Sequence, residues 1–171
     1  MKKGFTLIEL MVVVLIVGLL SGLVVVNVNN SRLNARDAKR IQDIDTINTA
    51  IQMYAEANNG QYPAPIAASA SDCGCGCWVI SAPTGDSNYD RWVVLASATM
   101  LQPYTPTLPA DPINNYSRGY EYIYTCYNGG ADYKIEARTM ESVSGLAKAK
   151  SDGGNNDNAF EVFSSGGQGA L

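Results

Sequence analysis

Three groups of side chains have the type and spacing to do chemistry. The first is Glu9, the one acid in an apolar run at 5–26 that follows Lys2, Lys3 and Gly4. An ionised carboxylate in hydrocarbon is costly, and an acid placed there marks function by default, so Glu9 calls for a partner. The second group is Cys73, Cys75, Cys77 and Cys126. The third is the string Ser151-Asp152-Gly153-Gly154-Asn155-Asn156-Asp157-Asn158, which packs oxygen donors into one loop. Calcium takes about six to eight such ligands, with Asp152, Asn155 and Asp157 as candidates. The competing reading is an ordinary Asn/Asp/Gly turn between strands, favoured by the lack of EF-hand spacing.

Composition closes off other chemistry. The 171 residues contain no histidine, which removes imidazole as base, nucleophile, metal ligand or haem ligand. There is no P-loop, no GxGxxG after a strand and no CxxCH. The acids show no pairing that singles two out for acid–base work, so no enzyme is expected. A net charge of −4 without a basic run is a poor basis for binding nucleic acid. Ten tyrosines fall largely in and near one strand pair, where tyrosine is a good strand residue.

The apolar run has two plain readings. A secretory signal would carry a small-residue cleavage site after its apolar core, but this run ends in Val24-Val25-Val26-Asn27-Val28-Asn29. A membrane anchor fits the length, since 22 residues make about 33 Å of helix, but leaves Glu9 unexplained. The unbroken string Lys3-Gly4-Phe5-Thr6-Leu7-Ile8-Glu9-Leu10 resembles the amino termini of the type IV pilin and type II secretion pseudopilin families. The resemblance implies that a prepilin peptidase cuts between Gly4 and Phe5. It implies that the new Phe5 amine is N-methylated, and that Glu9 neutralises the Phe5 amine of a neighbouring subunit. It also implies a helical homo-oligomer built at an inner-membrane assembly platform, held in the cytoplasmic membrane before assembly and outside the cell afterwards. Losing Lys2 and Lys3 leaves ten basic against sixteen acidic side chains, or −6.

On that reading the chain is exported, and an even number of cysteines points to two disulfides. Cys126 is expected to join the cluster at 73–77. Pairing it with Cys75 leaves Cys73–Cys77. Pairing it with Cys77 leaves the tighter Cys73–Cys75 ring, which strains the geometry more. A thiolate metal cluster is disfavoured because the spacing is not C-x₂-C.

These groups must be held by elements. Ile41, Ile44, Ile47, Ile51 and Tyr54 recur at steps of three and four, with Ala50 and Ala55 beside them. Lys39, Arg40, Gln42, Asp43, Asp45 and Gln52 fill the other positions, as on an amphipathic helix. The pattern stops at Asn58-Asn59-Gly60. One helix over 5–58 would be about 81 Å long, so its apolar half must be buried somewhere other than in this chain's own head. Gly18, Ser21 and Gly22 offer a place to bend or a small-residue packing face. Residues 61–90 read as a long loop pinned by disulfides, with a short strand at 78–80. A helix is expected from Trp92 to Leu101, capped by Asn88 or Asp90. Pro103, Pro106 and Pro109 then exclude regular structure. Residues 119–127 and 133–139 alternate about Asn128-Gly129-Gly130 as a hairpin, a further strand falls at 159–163, and the tail from 164 is Gly/Ser-rich.

The fold expected is α+β, with a long N-terminal helix packed by its second half on a small antiparallel sheet. The chain divides into a leader at 1–4, an apolar transmembrane and filament-core helix at 5–30, an amphipathic half at 31–60 and a head at 61–171. The function expected is structural, as the subunit of a type IV pilus. The alternatives are a type II secretion pseudopilin or a membrane-anchored minor pilin or adhesin. Leu108-Pro109-Ala110-Asp111-Pro112 resembles an element of pilin-like and major pseudopilin sequences. It continues as Ile113-Asn114-Asn115 in place of the pseudopilin's tryptophan and glycine, which turns the reading towards the pilus. Processing gives the first test: the intact mass of assembled subunits should correspond to a chain that begins at Phe5. A subunit that keeps Met1 to Gly4, or is cut beyond Val26, would contradict this.

Overall fold

The computed structural model describes residues 4–64, 79–82, 92–95, 97 and 100–166, without the side chains of 21–27, 93 and 94. One helix, α1 (Leu7–Ala57), runs unbroken for 51 residues, or about 77 Å. Gly18 and Gly22 do not interrupt it, and the side chain of Ser21 lies outside the described residues. The head supplies β1 (Val79–Ile80), α2 (Trp92–Leu95), β2 (Tyr122–Tyr127), β3 (Asp132–Ala137), α3 (Val143–Ala149) and β4 (Phe160–Phe163). The strands form one antiparallel sheet in the order β1-β2-β3-β4. The α+β architecture expected from the sequence is therefore present.

Strand alternation decides what faces the helix. Tyr124 pairs with Ile135 and Cys126 with Tyr133, and this face meets Ile44, Ile47, Ala50 and Ile51 of α1 in the main core. Each fully buried aliphatic side chain there contributes about 1.5–3 kcal/mol. The tyrosines add polar tips. Tyr122 donates its hydroxyl to Asp43 at 2.9 Å, Tyr124 to the Pro63 carbonyl at 2.7 Å, and Tyr133 to Asn48. This accounts for tyrosine where an all-aliphatic face would pack as well, because each ring fills the core and its hydroxyl ties sheet to helix or loop.

The other half of α1 has no such cover. Leu7, Leu15 and Leu19 are at least two-thirds exposed, and the apolar side chains at 7–17 are all exposed. Among the described residues no helical window is both long and apolar enough to cross a membrane. The transmembrane reading of 5–30 depends on the side chains at 21–27, which lie outside those residues.

Local differences from expectation have local causes. Of the helix expected over 92–101, Trp92–Leu95 is helical; 96, 98 and 99 lie outside the described residues, and the Leu101 amide donates to the Leu95 carbonyl, a bond that is not part of a continuous helix. The segment 143–149 is helical although no helix was expected there. Ser142 caps it by accepting from the Gly145 amide at 2.9 Å. Trp78 and the three cysteines at 73–77 lie outside the described residues.

The two halves of α1 should respond differently to truncation. Ile47→Ala should lower head stability by about 2–5 kcal/mol in chemical denaturation. Leu15→Ala should leave it within about 0.5 kcal/mol. Equal losses would mean that the apolar half is packed within the chain.

Candidate functional site

The amino terminus holds Gly4, Phe5 and Glu9, the residues expected to serve processing and assembly. Gly4, Phe5 and Thr6 are non-helical and exposed, with Phe5 81 % accessible. The Gly4–Phe5 bond therefore lies outside the helix, where a protease can take the chain in extended form. Thr6 caps α1, and the Glu9 amide donates to its hydroxyl at 3.3 Å. Glu9 Oε2 accepts in return from the Thr6 amide and the Thr6 hydroxyl, both at 2.8 Å. This is a reciprocal capping box, and the carboxylate also sits favourably at the positive end of the helix dipole. Within a single chain Glu9 thus has a partner that the sequence reading missed. The signal was present, since Thr6-Leu7-Ile8-Glu9 has the S/T-x-x-E spacing. Among the described residues, Glu9 Oε1 has no partner.

A second cluster, built on Arg40, holds the head on the helix where the sequence pattern points to a polar face. Arg40 and Asp43 were assigned to the polar face of α1, yet Arg40 is fully buried and Asp43 is 2 % exposed. Asp37, Arg40, Ile44, Ile47 and Ile51 continue a single stripe at steps of three and four. Arg40 Nε donates to Asp111 Oδ2 at 2.6 Å and Nη2 to Oδ1 at 3.3 Å. Its Nη1 donates to Asp37 Oδ1 and to Glu141 Oε2, both at 2.7 Å. Arg36 grips Glu141 with two further bonds at 2.6 and 2.7 Å. The Tyr120 ring lies 5.2 Å from the guanidinium carbon of Arg40.

Asp37 and Asp111 also fix backbone. Asp37 Oδ2 accepts from the Ser142 amide at 2.6 Å and from the Glu141 amide at 3.0 Å. Gly145 lies so close to the Asp37 carboxylate that a Cβ would collide with it. Asp111 Oδ1 accepts from the Ile113 amide at 2.7 Å, an Asx turn that aims the carboxylate inward. The Leu-Pro-x-Asp-Pro string thereby acquires a physical role, as it delivers Asp111 to Arg40. Burial pulls the Arg40 proton affinity down, but the bonds to Asp111, Glu141 and Asp37 more than offset it, so the guanidinium stays charged. The Arg36 bond, then that of Arg40, hold the Glu141 carboxyl at about 2 against the opposing effect of burial.

The other expected sites separate. Cys126 is disulfide-bonded, and its three possible partners lie outside the described residues. Asp152, Asn155 and Asp157 do not converge as metal ligands. Asp152 spends its oxygens on the Gly154 and Glu161 amides, both at 2.8 Å. Asn155 Oδ1 accepts from Lys134 Nζ at 2.9 Å, and Asp157 is exposed. Among the described residues no group of three or more Asp, Glu, Cys or His side chains could hold a metal ion. The donor types suit calcium, but their placement in this chain does not.

Residues 1–25 match the family model described as the prokaryotic N-terminal methylation motif. The chain is 30 % identical over 156 residues to type II secretion system core protein G of Escherichia coli K12, covering 87 % of this chain and 95 % of that protein. It is 32 % identical to the protein of the same name from Pseudomonas aeruginosa, covering 78 % and 86 %. Against the Vibrio cholerae protein of that name it is 42 % identical over 62 residues, which is 36 % of this chain and 42 % of that one. No solved structure matches the chain.

Two outcomes follow for the clamp. Arg40→Met should cost about 3–5 kcal/mol at neutral pH, because it strands buried carboxylates. The Glu141 carboxyl lies at about 2 in the fold against 4.5 ordinarily. Its contribution is therefore complete above about pH 4.5 and is lost as pH falls towards 2. Urea melts across that window should show a decline that Glu141→Gln flattens, and a variant with the wild-type slope would remove Glu141 as its source.

Proposed function

The chain belongs to the type II secretion system core protein G family, and from that premise we propose that it is the repeating structural subunit of a secretion pseudopilus. The observation that carries the proposal is the bare apolar half of α1, which a single chain leaves exposed. Two environments can cover it: a bilayer before assembly, and identical helices in a filament afterwards. Apolar helices would form the filament core with the heads outside. Read on sequence alone, the pilus ranked first and the pseudopilus second. Relatives matched over nearly their whole lengths carry a secretion-system name, which reverses that order. The role is that of a building block rather than an enzyme.

Processing would precede assembly. A prepilin peptidase would cut between Gly4 and Phe5, and the freed Phe5 amine, N-methylated, would become a cation at the end of the apolar helix. In the filament Glu9 would turn from its own Thr6 to the Phe5 amine of a neighbour. Away from water that attraction is far stronger than at an exposed surface, and it would set the axial register between subunits. The bidentate Arg40–Asp111 pair and its neighbours would then carry that register from helix to head.

Two comparisons test the proposal. Glu9→Leu should insert in the membrane at least as well as wild type, leave head melting unchanged and fail to enter filaments. Thr6→Ala, which removes the cap partner but keeps the carboxylate, should still assemble. Loss of assembly in both variants would assign Glu9 to the helix cap instead. In cells, deleting the gene should stop release of secreted proteins into the medium and leave surface pili intact, whereas loss of pili with normal secretion would restore the pilus reading.

A further inference from the structure

On the sheet face turned away from α1, three charged side chains are almost completely buried. Lys134 is 2 % exposed, Glu136 5 % and Glu161 2 %. Lys134 and Glu136 are two apart on β3, so they point the same way, and Glu136 pairs directly across the ladder with Glu161 of β4. Lys134 Nζ contacts Glu161 Oε1 and lies 3.6 Å from Glu136 Oε2. Its third direction is taken by Asn155 Oδ1 at 2.9 Å. The ammonium thus lies among three oxygens on two strands and one loop, hydrogen-bonded to Asn155 and ion-paired with Glu161 and Glu136. Glu161 Oε1 is held by that charge rather than by an aligned hydrogen bond.

The loop closes around the same point. Glu161 Oε2 accepts from the Asn156 amide at 3.1 Å. Asp152 accepts from the Glu161 amide at 2.8 Å, which ties the start of the loop to the strand that follows it. Gly154 passes so close to the Glu161 carboxylate that no Cβ fits between them. An oxygen-rich loop of this kind is where a divalent cation would be sought, and a cation is what the structure places beside it, supplied by the chain itself. A calcium ion would compete with the ammonium for Glu161 and Asn155, and like charges at that distance repel strongly in a buried setting.

We propose that the Lys134 ammonium is the cation on which the 151–158 loop closes, so that this head holds β4 in place without a bound metal ion. The proposal is independent of which filament the protein builds. Lys134 acts by positioning, through Asn155 and Glu161. A methionine of similar length would keep the packing and remove the charge, leaving Glu161 buried and unpaired.

The test uses the full-length chain in detergent, melted with millimolar calcium chloride and again with EDTA, for wild type and Lys134→Met. The wild type should melt at the same temperature in both, and Lys134→Met should melt about 10 °C lower in both. Wild type stabilised by calcium, or Lys134→Met melting like wild type, would overturn the proposal. Should Lys134→Met fail to fold, the double variant Lys134→Met/Glu161→Gln decides. It removes the stranded charge and keeps an acceptor for the Asn156 amide, so it should fold again; if it stays unfolded, the ammonium–carboxylate pairing is not the basis of loop closure.

Discussion

A helix that outruns its own head is the constraint on which everything else depends. Fifty-one residues of α1 extend about 77 Å, and the head touches it from Asn34 onwards and buries it from Asp37. Among the described residues, the leucines, valines and isoleucines at 7–20 and Val28 are exposed. Exposed apolar surface on this scale marks an interaction site. In this geometry the partner must be long and apolar, which a bilayer and a second copy of the same helix both are. The amphipathic half belongs to the fold, and the proposed function gives the apolar half to the assembly.

The boundary between the halves is held by charge rather than by apolar packing. Isoleucines alone would leave the head free to slide by a turn along a uniform stripe. Arg40 removes that freedom, since its guanidinium fits three carboxylates from three separate segments, at 37, 111 and 141. Buried ion pairs contribute little net stability compared with apolar replacements, but losing one partner is costly. Their contribution here is register: one axial position and one rotation of the head on the helix. For a subunit repeated along a filament, that register decides where every head lies.

Much of the architecture was legible because the strongest sequence signals are periodic. The stripe at Ile44, Ile47 and Ile51, the hairpin around Asn128-Gly129-Gly130 and the strand near Phe160 all read correctly. What escaped notice was charge behaving as core. Asp37 and Arg40 lie on the isoleucine stripe, but arginine and aspartate are rarely buried unless paired, and their partner Asp111 is 71 residues beyond Arg40. No local pattern announces such a pairing. Lys134 and Glu136 are a second case, since the alternation with Ile135 gives the strand but not the burial of its charged face. The oxygen donors at 151–158 offered calcium as the lesser reading beside a plain turn, and composition cannot show that Lys134 of the neighbouring strand lies against Asn155 and Glu161. At the amino terminus the Thr6–Glu9 cap is legible from its S/T-x-x-E spacing, a local signal that the acid's place in an apolar run does not itself carry.

The central claim is that Glu9 leaves Thr6 and meets the Phe5 amine of another subunit when the apolar helices assemble. Solid-state NMR on filaments of mixed composition measures this directly. Half the subunits carry ¹⁵N at the Phe5 amine, and the others carry ¹³C at the Glu9 carboxylate. A nitrogen–carbon coupling can then arise only between different chains. The account predicts a cross-peak for a distance under about 4 Å, in the range of an ion pair. Filaments that form normally with no such coupling, and with Glu9 still bonded to the hydroxyl of its own Thr6, would contradict it.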